Sequence, residues 1–235
     1  MNSPWQIDLF DSLNDAIDMQ DVIDTALKIV KPIGFDYAGF RSELPLPMSK
    51  KRSLIINTVE DDVSSKAESG YYDETPLMKH CSRSIEPFFW TGRKDDKVYL
   101  QIPEMAEEYQ SSGRYGGWAQ SFVESKFLFN IFWLDSSSII EQRYIDEINF
   151  KMQWISTSVL IRMGQVKTKS KIKLNRREKE ILKWSGDGKT ADQIGQILNL
   201  SHSTVNFHIR NAMFKLSTPN KTSAIVKAIY LGLLR

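Results

Sequence analysis

A single cysteine, Cys81, stands in 235 residues. That excludes an internal disulfide framework and fits a reducing compartment, and Cys81 reads as a packing residue, not a reactive thiol. The three histidines, His80, His202 and His208, lack metal-ligand spacing. No glycine-rich phosphate loop or nucleophile motif appears either, so no enzyme, metal or cofactor is expected. Glu107-Glu108 reads as a solvated helix face and not as a pair of catalytic acids. No apolar run approaches the roughly 18–20 residues of a membrane span, and Met1–Phe10 shows no signal-peptide pattern. Tandem repeats and low-complexity tracts are lacking as well. The expectation is a cytoplasmic chain with no membrane partner.

Net charge is also scarce, a formal +2, but that balance hides a division. Gln165–Arg235 holds 14 Lys and Arg against 4 Asp and Glu, a formal +10. The remainder holds 17 basic and 25 acidic residues, a formal −8. A basic tail that neutralises phosphates and releases counterions points to nucleic acid as its partner.

What is present in that tail is a succession of helix signals. Asn175 and Glu178 fit a capping box ahead of Ile181, Leu182 and Trp184, with Gly186 and Gly188 to stop the helix. Thr190 and Gln193 repeat the pattern for a second helix carrying Ile194, Ile197 and Leu198. A turn at Asn199–His202 leads to a third helix near Ser203, and Asn220 caps a fourth. On the third helix, Val205, Ile209, Ala212, Met213 and Leu216 form one buried stripe. Ser203, Asn206, Phe207 and Arg210 fall on a different, mostly polar face. Such a face suits the major groove, where Arg pairs with guanine and Asn with adenine. A solvated polar face would explain one such helix alone; two successive capped helices in a basic surround favour a helix-turn-helix.

These residues resemble the LuxR-type (FixJ/NarL-type) helix-turn-helix: Leu174–Glu178, Gly188-Lys189-Thr190, Ile194, Leu198, Ser201, Thr204-Val205, His208, Asn211, Lys215-Leu216, Asn220-Lys221 and Gly232. The resemblance implies DNA contacts from Lys189, Thr190, Ser203, Thr204, Asn206, Phe207, Arg210 and Lys221. Thr190, Ser203 and Lys221 would touch phosphates, and Asn206 and Arg210 would read bases of a two-fold symmetric operator bound by a homodimer.

The first 165 residues are long enough for one domain with its own core. Ser3-Pro4 opens a helix with Leu9, Leu13, Ala16 and Ile17 on one side, and Asp21–Val30 forms a second. Phe35–Arg41 and Ser53–Thr58 have strand character. Short helices are expected at Pro76–Ser82 and Pro103–Gln110, and aromatic-rich strands at Gly117–Val123 and Lys126–Leu134, turning at Glu124-Ser125. Ile148, Met152, Ile155, Val159 and Met163 form a stripe on a long helix from near Ser138, either core or the seam of a dimer. The alternating lysines 167, 169, 171 and 173 read as a solvated linker. The expected architecture is α+β: an N-terminal α-β-α sandwich sensor domain over 1–164, a lysine-rich linker over 165–173, and a C-terminal four-helix helix-turn-helix domain over 174–235.

The front domain resembles the autoinducer-binding domain of quorum-sensing LuxR proteins. The carriers are Gly34-Phe35-Asp36-Tyr37, Arg41 with Pro45 and Pro47, Thr75-Pro76 where the family has Asp-Pro, Phe89-Trp90-Thr91-Gly92, and Gly113 to Gly117-Trp118. In that family an acyl-homoserine lactone is held by a Trp and a Tyr four residues apart, the Asp before Pro, and a later Trp. Projected from Pro76, the first three positions fall on Asp62, Lys66 and Thr75, while Trp90 is retained with Gly117. Losing three hydrogen bonds of ~0.5–1.5 kcal/mol each, more where one partner is charged, costs on the order of 3–5 kcal/mol, or roughly two to four decades in affinity. Asp62 and Lys66, one helical turn apart, pair across the pocket mouth or are both solvated. The pocket candidates are Asp62, Lys66, Tyr72, Thr75, Trp90, Gly117 and Asn130. Several readings stay open: an orphan regulator with an altered ligand, a conventional lactone-responsive one, or an antiactivator acting through heterodimers with a related regulator. A phosphorelay receiver would need alternating βα units and an acidic cluster, which the opening helices do not supply.

Overall fold

Alternation along the strands decides where everything else sits. In the computed structural model, which describes residues 4–47, 49, 52–59, 65–66, 69–125, 128–167 and 172–234, five strands form one antiparallel sheet in the order β2-β1-β5-β4-β3. They are β1 (Tyr37–Leu44), β2 (Arg52–Asn57), β3 (Phe88–Trp90), β4 (Gly117–Ser125) and β5 (Leu128–Asp135). Gly39 pairs with Trp133 and Gly117 with Asp135, which fixes the register. Because neighbouring side chains point to opposite faces, Ala38, Phe40, Trp118, Phe132 and Leu134 bury in one core, while Trp90, Ala119 and Ile131 bury in another.

The first core is closed by α1 (Pro4–Asp15), α2 (Met19–Val30) and the long α6 (Gln142–Lys167). Asp18 caps α2 by accepting from the Asp21 N–H, and Val22, Ile23, Ala26 and Val30 bury at helical spacing. The Trp118 indole donates to Ser156 Oγ on α6 at 3.2 Å. Arg162 ties α6 to the α1–α2 turn by donating to the carbonyls of Asn14 (2.7 Å) and Ala16 (2.8 Å). The second face carries α3 (Pro76–Cys81), α4 (Lys97–Gln101) and α5 (Pro103–Ser111). Helices on both faces make the expected α-β-α sandwich. Cys81 is buried, and burial pushes its thiol up to about 12; at neutral pH it is a packing residue.

Two of these elements, β3 and α4, have no counterpart in the sequence reading. Both are short, and neither three nor five residues develops a period. The stripe on α6 is core and not a dimer seam: Met152, Ile155, Val159 and Met163 have no solvent exposure. The apolar residues that α6 leaves exposed are others, Phe150, Trp154 and Ile161. The helix runs on to Lys167, into the stretch expected as linker, and residues 168–171 lie outside the description.

The compact units are Met1–Leu44 with Arg52–Val166, and Pro45–Lys51 with Lys167–Arg235. The second holds α7 (Arg176–Gly186), α8 (Ala191–Leu198), α9 (His202–Lys215) and α10 (Lys221–Tyr230). Both expected capping boxes are made, Asn175 with Glu178 and Thr190 with Gln193. Ile181, Ile194, Val205 and Ile209 pack as one cluster; Leu174, Leu182, Ala212, Leu216, Ala224 and Ala228 pack as another. Glu178 joins the cap to the core: it is 1% exposed, and both its oxygens accept from Lys215 Nζ at 2.8 and 2.9 Å.

Candidate functional site

The sheet face toward α3, α4 and α5 encloses a cavity of about 60 Å³, several times the roughly 10–15 Å³ that one water needs. Its floor is aromatic for a reason found in two glycines. A Cβ on Gly39 would lie 2.1 Å from the Trp133 ring, and one on Gly117 2.2 Å from the Trp90 ring. Each glycine therefore beds one indole flat against the sheet, and both indoles line the cavity. Val98, Met105 and Ile131 complete much of the apolar wall.

Polar groups enter at two ends. Arg41 comes from β1 and is 7% exposed. Its Nε donates to Ser53 Oγ at 2.9 Å, one terminal nitrogen pairs with Asp73, and the other faces the Met78 sulfur at 3.7 Å. Arg114 is 1% exposed and lies over the Tyr109 ring, 4.3 Å from its centroid. Its Nε donates to Ser112 Oγ at 3.0 Å, and a terminal nitrogen is 3.7 Å from Asp135. Asp135 is fully buried, and among the described residues neither of its oxygens finds a hydrogen-bond donor in good geometry. Burial raises its carboxyl to about 6, against the pull of Arg114.

Of the expected pocket residues, Tyr72, Thr75 and Trp90 line the cavity. Thr75 is occupied with its own helix: Oγ1 accepts from the Met78 N–H at 3.3 Å, capping α3, and donates to the Tyr72 carbonyl at 2.8 Å. The Tyr72 hydroxyl donates to Glu108 at 3.3 Å, and burial holds its pKa well above the usual tyrosine value. Lys66, Gly117 and Asn130 are not in the lining. Lys66 pairs with Glu108 at 2.7 Å. Gly117 acts through Trp90, and Asn130 sits on β5 opposite Ser42. Asp62 lies outside the described residues. The solvated reading of Glu107-Glu108 holds for Glu107 alone. Glu108 is half-buried, and although burial raises its carboxyl, hydrogen bonds from Lys66 and Tyr71 bring it below the ordinary value.

Sequence reasoning took Arg41 only as a family marker and passed over Arg114 and Gly39. The one available signal was Arg41 two residues after Gly39 in an apolar strand, which alternation places on the same face. Trp133 was legible as a strand aromatic, but its partner glycine is 94 residues away and only the register joins them.

In the C-terminal unit, the turn between α8 and α9 depends on Asn199 at φ 55 and on Gly195, whose added Cβ would lie 2.6 Å from the Leu200 carbonyl oxygen. Ser201 caps α9 by accepting from the Thr204 N–H at 3.1 Å. Ser203, Phe207 and Arg210 are exposed along α9; Thr204 and Asn206 are half-buried. The Asn206 amide rests against the ring of His202, 3.1 Å from Nε2, a partner the sequence reading missed. Thr190 is exposed at the start of α8 with Lys189 before it, and Lys221 opens α10 behind its cap Asn220.

An α-β-α sandwich with an aromatic cavity on one sheet face, followed in the chain by a capped helix-turn-helix unit, is the architecture of a two-domain DNA-binding regulator. Comparison with known proteins gives the family. Residues 18–148 match the autoinducer binding domain, and residues 173–228 match the bacterial regulatory proteins of the luxR family. The chain belongs to the LuxR-type family of quorum-sensing transcriptional regulators. It is 27% identical over 239 residues to the transcriptional activator protein AnoR of Acinetobacter nosocomialis, covering 98% of this chain and 99% of that one. Among solved structures, Escherichia coli SdiA superposes with a TM-score of 0.71 at 22% identity, covering 98% of each chain. SdiA in complex with octanoyl-rac-glycerol superposes at 0.72 and 21%, covering 100% of this chain and 98% of that one. Among the described residues, no helix is long and apolar enough to cross a membrane.

Proposed function

We propose that this chain is a cytoplasmic, homodimeric transcription regulator whose N-terminal unit responds to a small molecule other than a standard acyl-homoserine lactone. The observation that carries this reading is Thr75, whose hydroxyl is spent on capping α3 at the position where the family places its lactone-binding Asp. The lined cavity favours an altered ligand over a ligand-independent antiactivator, and the octanoylglycerol complex is that of SdiA, a protein of the same fold. Standard lactones are expected to leave the thermal melt unchanged. A ligand bound only by the folded state adds RT ln(1 + [L]/Kd), about 2.7 kcal/mol at a hundredfold excess over Kd. A concentration-dependent rise in Tm with any one lactone across short and long acyl chains would restore a conventional quorum sensor.

For DNA, the reading assigns Thr190, Ser203 and Lys221 to phosphates and Asn206 and Arg210 to the bases, with Lys189, Thr204 and Phe207 as further DNA contacts. Arg210→Ala is expected to cost about 1–3 kcal/mol on the cognate operator and relax its sequence preference. Lys221→Ala should weaken all sequences alike and flatten the salt dependence. Equal losses for Arg210→Ala on cognate and random DNA, in a titration at fixed salt, count against base reading.

Dimerisation is assigned to the exposed face of α6. Phe150, Trp154 and Ile161 recur there at helical spacing, and the Phe10 ring of α1 packs tilted against Trp154 with centroids 6.0 Å apart. A two-fold operator needs two recognition helices at once. Phe150→Glu is expected to give monomers with unchanged circular dichroism and operator affinity reduced on the order of 100-fold. A full dimer in sedimentation would move the interface elsewhere.

A further inference from the structure

An apolar ring sits in the middle of the polar face of α9. At about 100° per residue, Ser203, Phe207 and Arg210 fall within roughly 60° of one another, away from the buried Val205, Ile209, Ala212 and Leu216. The polar groups beside them are engaged. Ser201 Oγ lies 2.8 Å from both the Ser203 and the Thr204 hydroxyl oxygens. The Asn206 amide nitrogen lies 3.2 and 3.1 Å from the two ring nitrogens of His202. Phe207 has no polar atom to engage, and it is 52% exposed.

The ring is also held. Its centroid is 5.6 Å from that of His208, with the planes at 69°, an edge-to-face contact. Part of its freedom is therefore given up before any partner arrives. In the major groove, base edges display nitrogen and oxygen donors and acceptors, to which a phenyl ring offers nothing; the apolar feature there is the C5-methyl of thymine. A protein partner seated on the same ring would cover Ser203 and Arg210 as well. DNA is the better match, because the stretch from Gln165 onward carries a formal +10.

We propose that Phe207 reads a thymine in each half-site by packing against its C5-methyl group. This rests on the reading of α9 as the recognition helix and adds the base that its exposed aromatic selects. Phe207 and Arg210 are three residues apart, about 4.5 Å along the helix axis, against about 3.4 Å per base pair. The thymine therefore lies within about two base pairs of the guanine that Arg210 pairs with.

The test uses full-length protein purified from its own host, so that any bound small molecule travels with it, and an operator that it enriches from random duplexes. Each thymine of the half-sites is replaced in turn, symmetrically, by deoxyuridine, which keeps its pairing with adenine and lacks only the methyl. Burying one methyl group is worth about fourfold in affinity. Loss of the methyl from both half-sites should thus weaken the wild-type complex about tenfold to fifteenfold at one position. Phe207→Ala places a strong helix former at an exposed site and should keep its circular dichroism. It is expected to bind the thymine and uracil duplexes equally. Both proteins are compared at one salt concentration, low enough for each to bind measurably, since phosphate contacts strengthen both duplexes alike. A wild-type protein indifferent to every replacement overturns the inference, as does a half-site without thymine. A thymine preference unchanged in Phe207→Ala overturns it too, and assigns the methyl to another side chain such as Thr204. Failure to enrich any sequence overturns the reading of α9 itself, and the inference with it.

Discussion

Gly117→Ala is expected to destabilise the N-terminal unit by about 3 kcal/mol, the upper part of the range for overpacking a close-packed core. Two contacts set that size. The added Cβ would lie 2.2 Å from the Trp90 ring and 2.5 Å from the Leu134 carbonyl oxygen on the paired strand β5. A ring can turn, but a backbone oxygen of the paired strand, here beside the last pair of the ladder, moves only by spreading the end of β4 from β5. Gly39→Ala makes the informative contrast. Its three nearest neighbours are all atoms of the Trp133 ring, so relief comes from displacing one side chain. It should cost less stability than Gly117→Ala while closing much of the cavity. Urea denaturation of the two variants separates these outcomes. A loss under about 0.5 kcal/mol for Gly117→Ala, within the range of ordinary surface changes, would mean that the close approach is not a constraint.

Lys215→Met should destabilise the C-terminal unit by about 3 kcal/mol, the lower end of the range for orphaning a buried charge. Glu178 is 1% exposed, and Lys215 Nζ satisfies both of its oxygens. Without Lys215 the carboxylate keeps, among the described residues, the Asn175 N–H alone, at 2.8 Å. Solvent reaches the lysine, 38% of whose side chain is exposed, which is why the larger figures in that range do not apply. Glu178→Gln removes the charge together with the need to neutralise it and leaves a side chain able to close the capping box. It should cost nearer 1 kcal/mol. Hydrogen exchange over residues 176–230 reads both variants. An equal loss in the two would show that the cap, and not the buried charge, carries the energy.

The two units differ in how much of them could be read in advance. Asn175 with Glu178 and Thr190 with Gln193 are reciprocal contacts over three residues, so sequence spacing specifies them fully, and both capping boxes form as expected. The stripe Val205, Ile209, Ala212 and Leu216 is likewise a property of one helix. The cavity is different in kind. Arg41 meets Asp73 across 32 residues, and Lys66 meets Glu108 across 42. Projection by counting back from Pro76 could not anticipate those partners, because spacing along the chain carries no information about which strand lies beside which.

The sequence by itself determined the helix-turn-helix, the division of charge between the two halves, the alternation that makes the sheet two-faced, and the departure from the family's polar set at Thr75. Each is a local pattern or a composition, and local physics suffices to interpret it. Tertiary structure alone decided that the α6 stripe is core while Phe150, Trp154 and Ile161 remain outside, that Gly39 and Gly117 bed two indoles, and that Arg41 rather than Lys66 brings its charge to the cavity. Those outcomes depend on strand register and on which helix covers which face. Both are settled by long-range burial, whose free energy exists only once the distant surfaces have met.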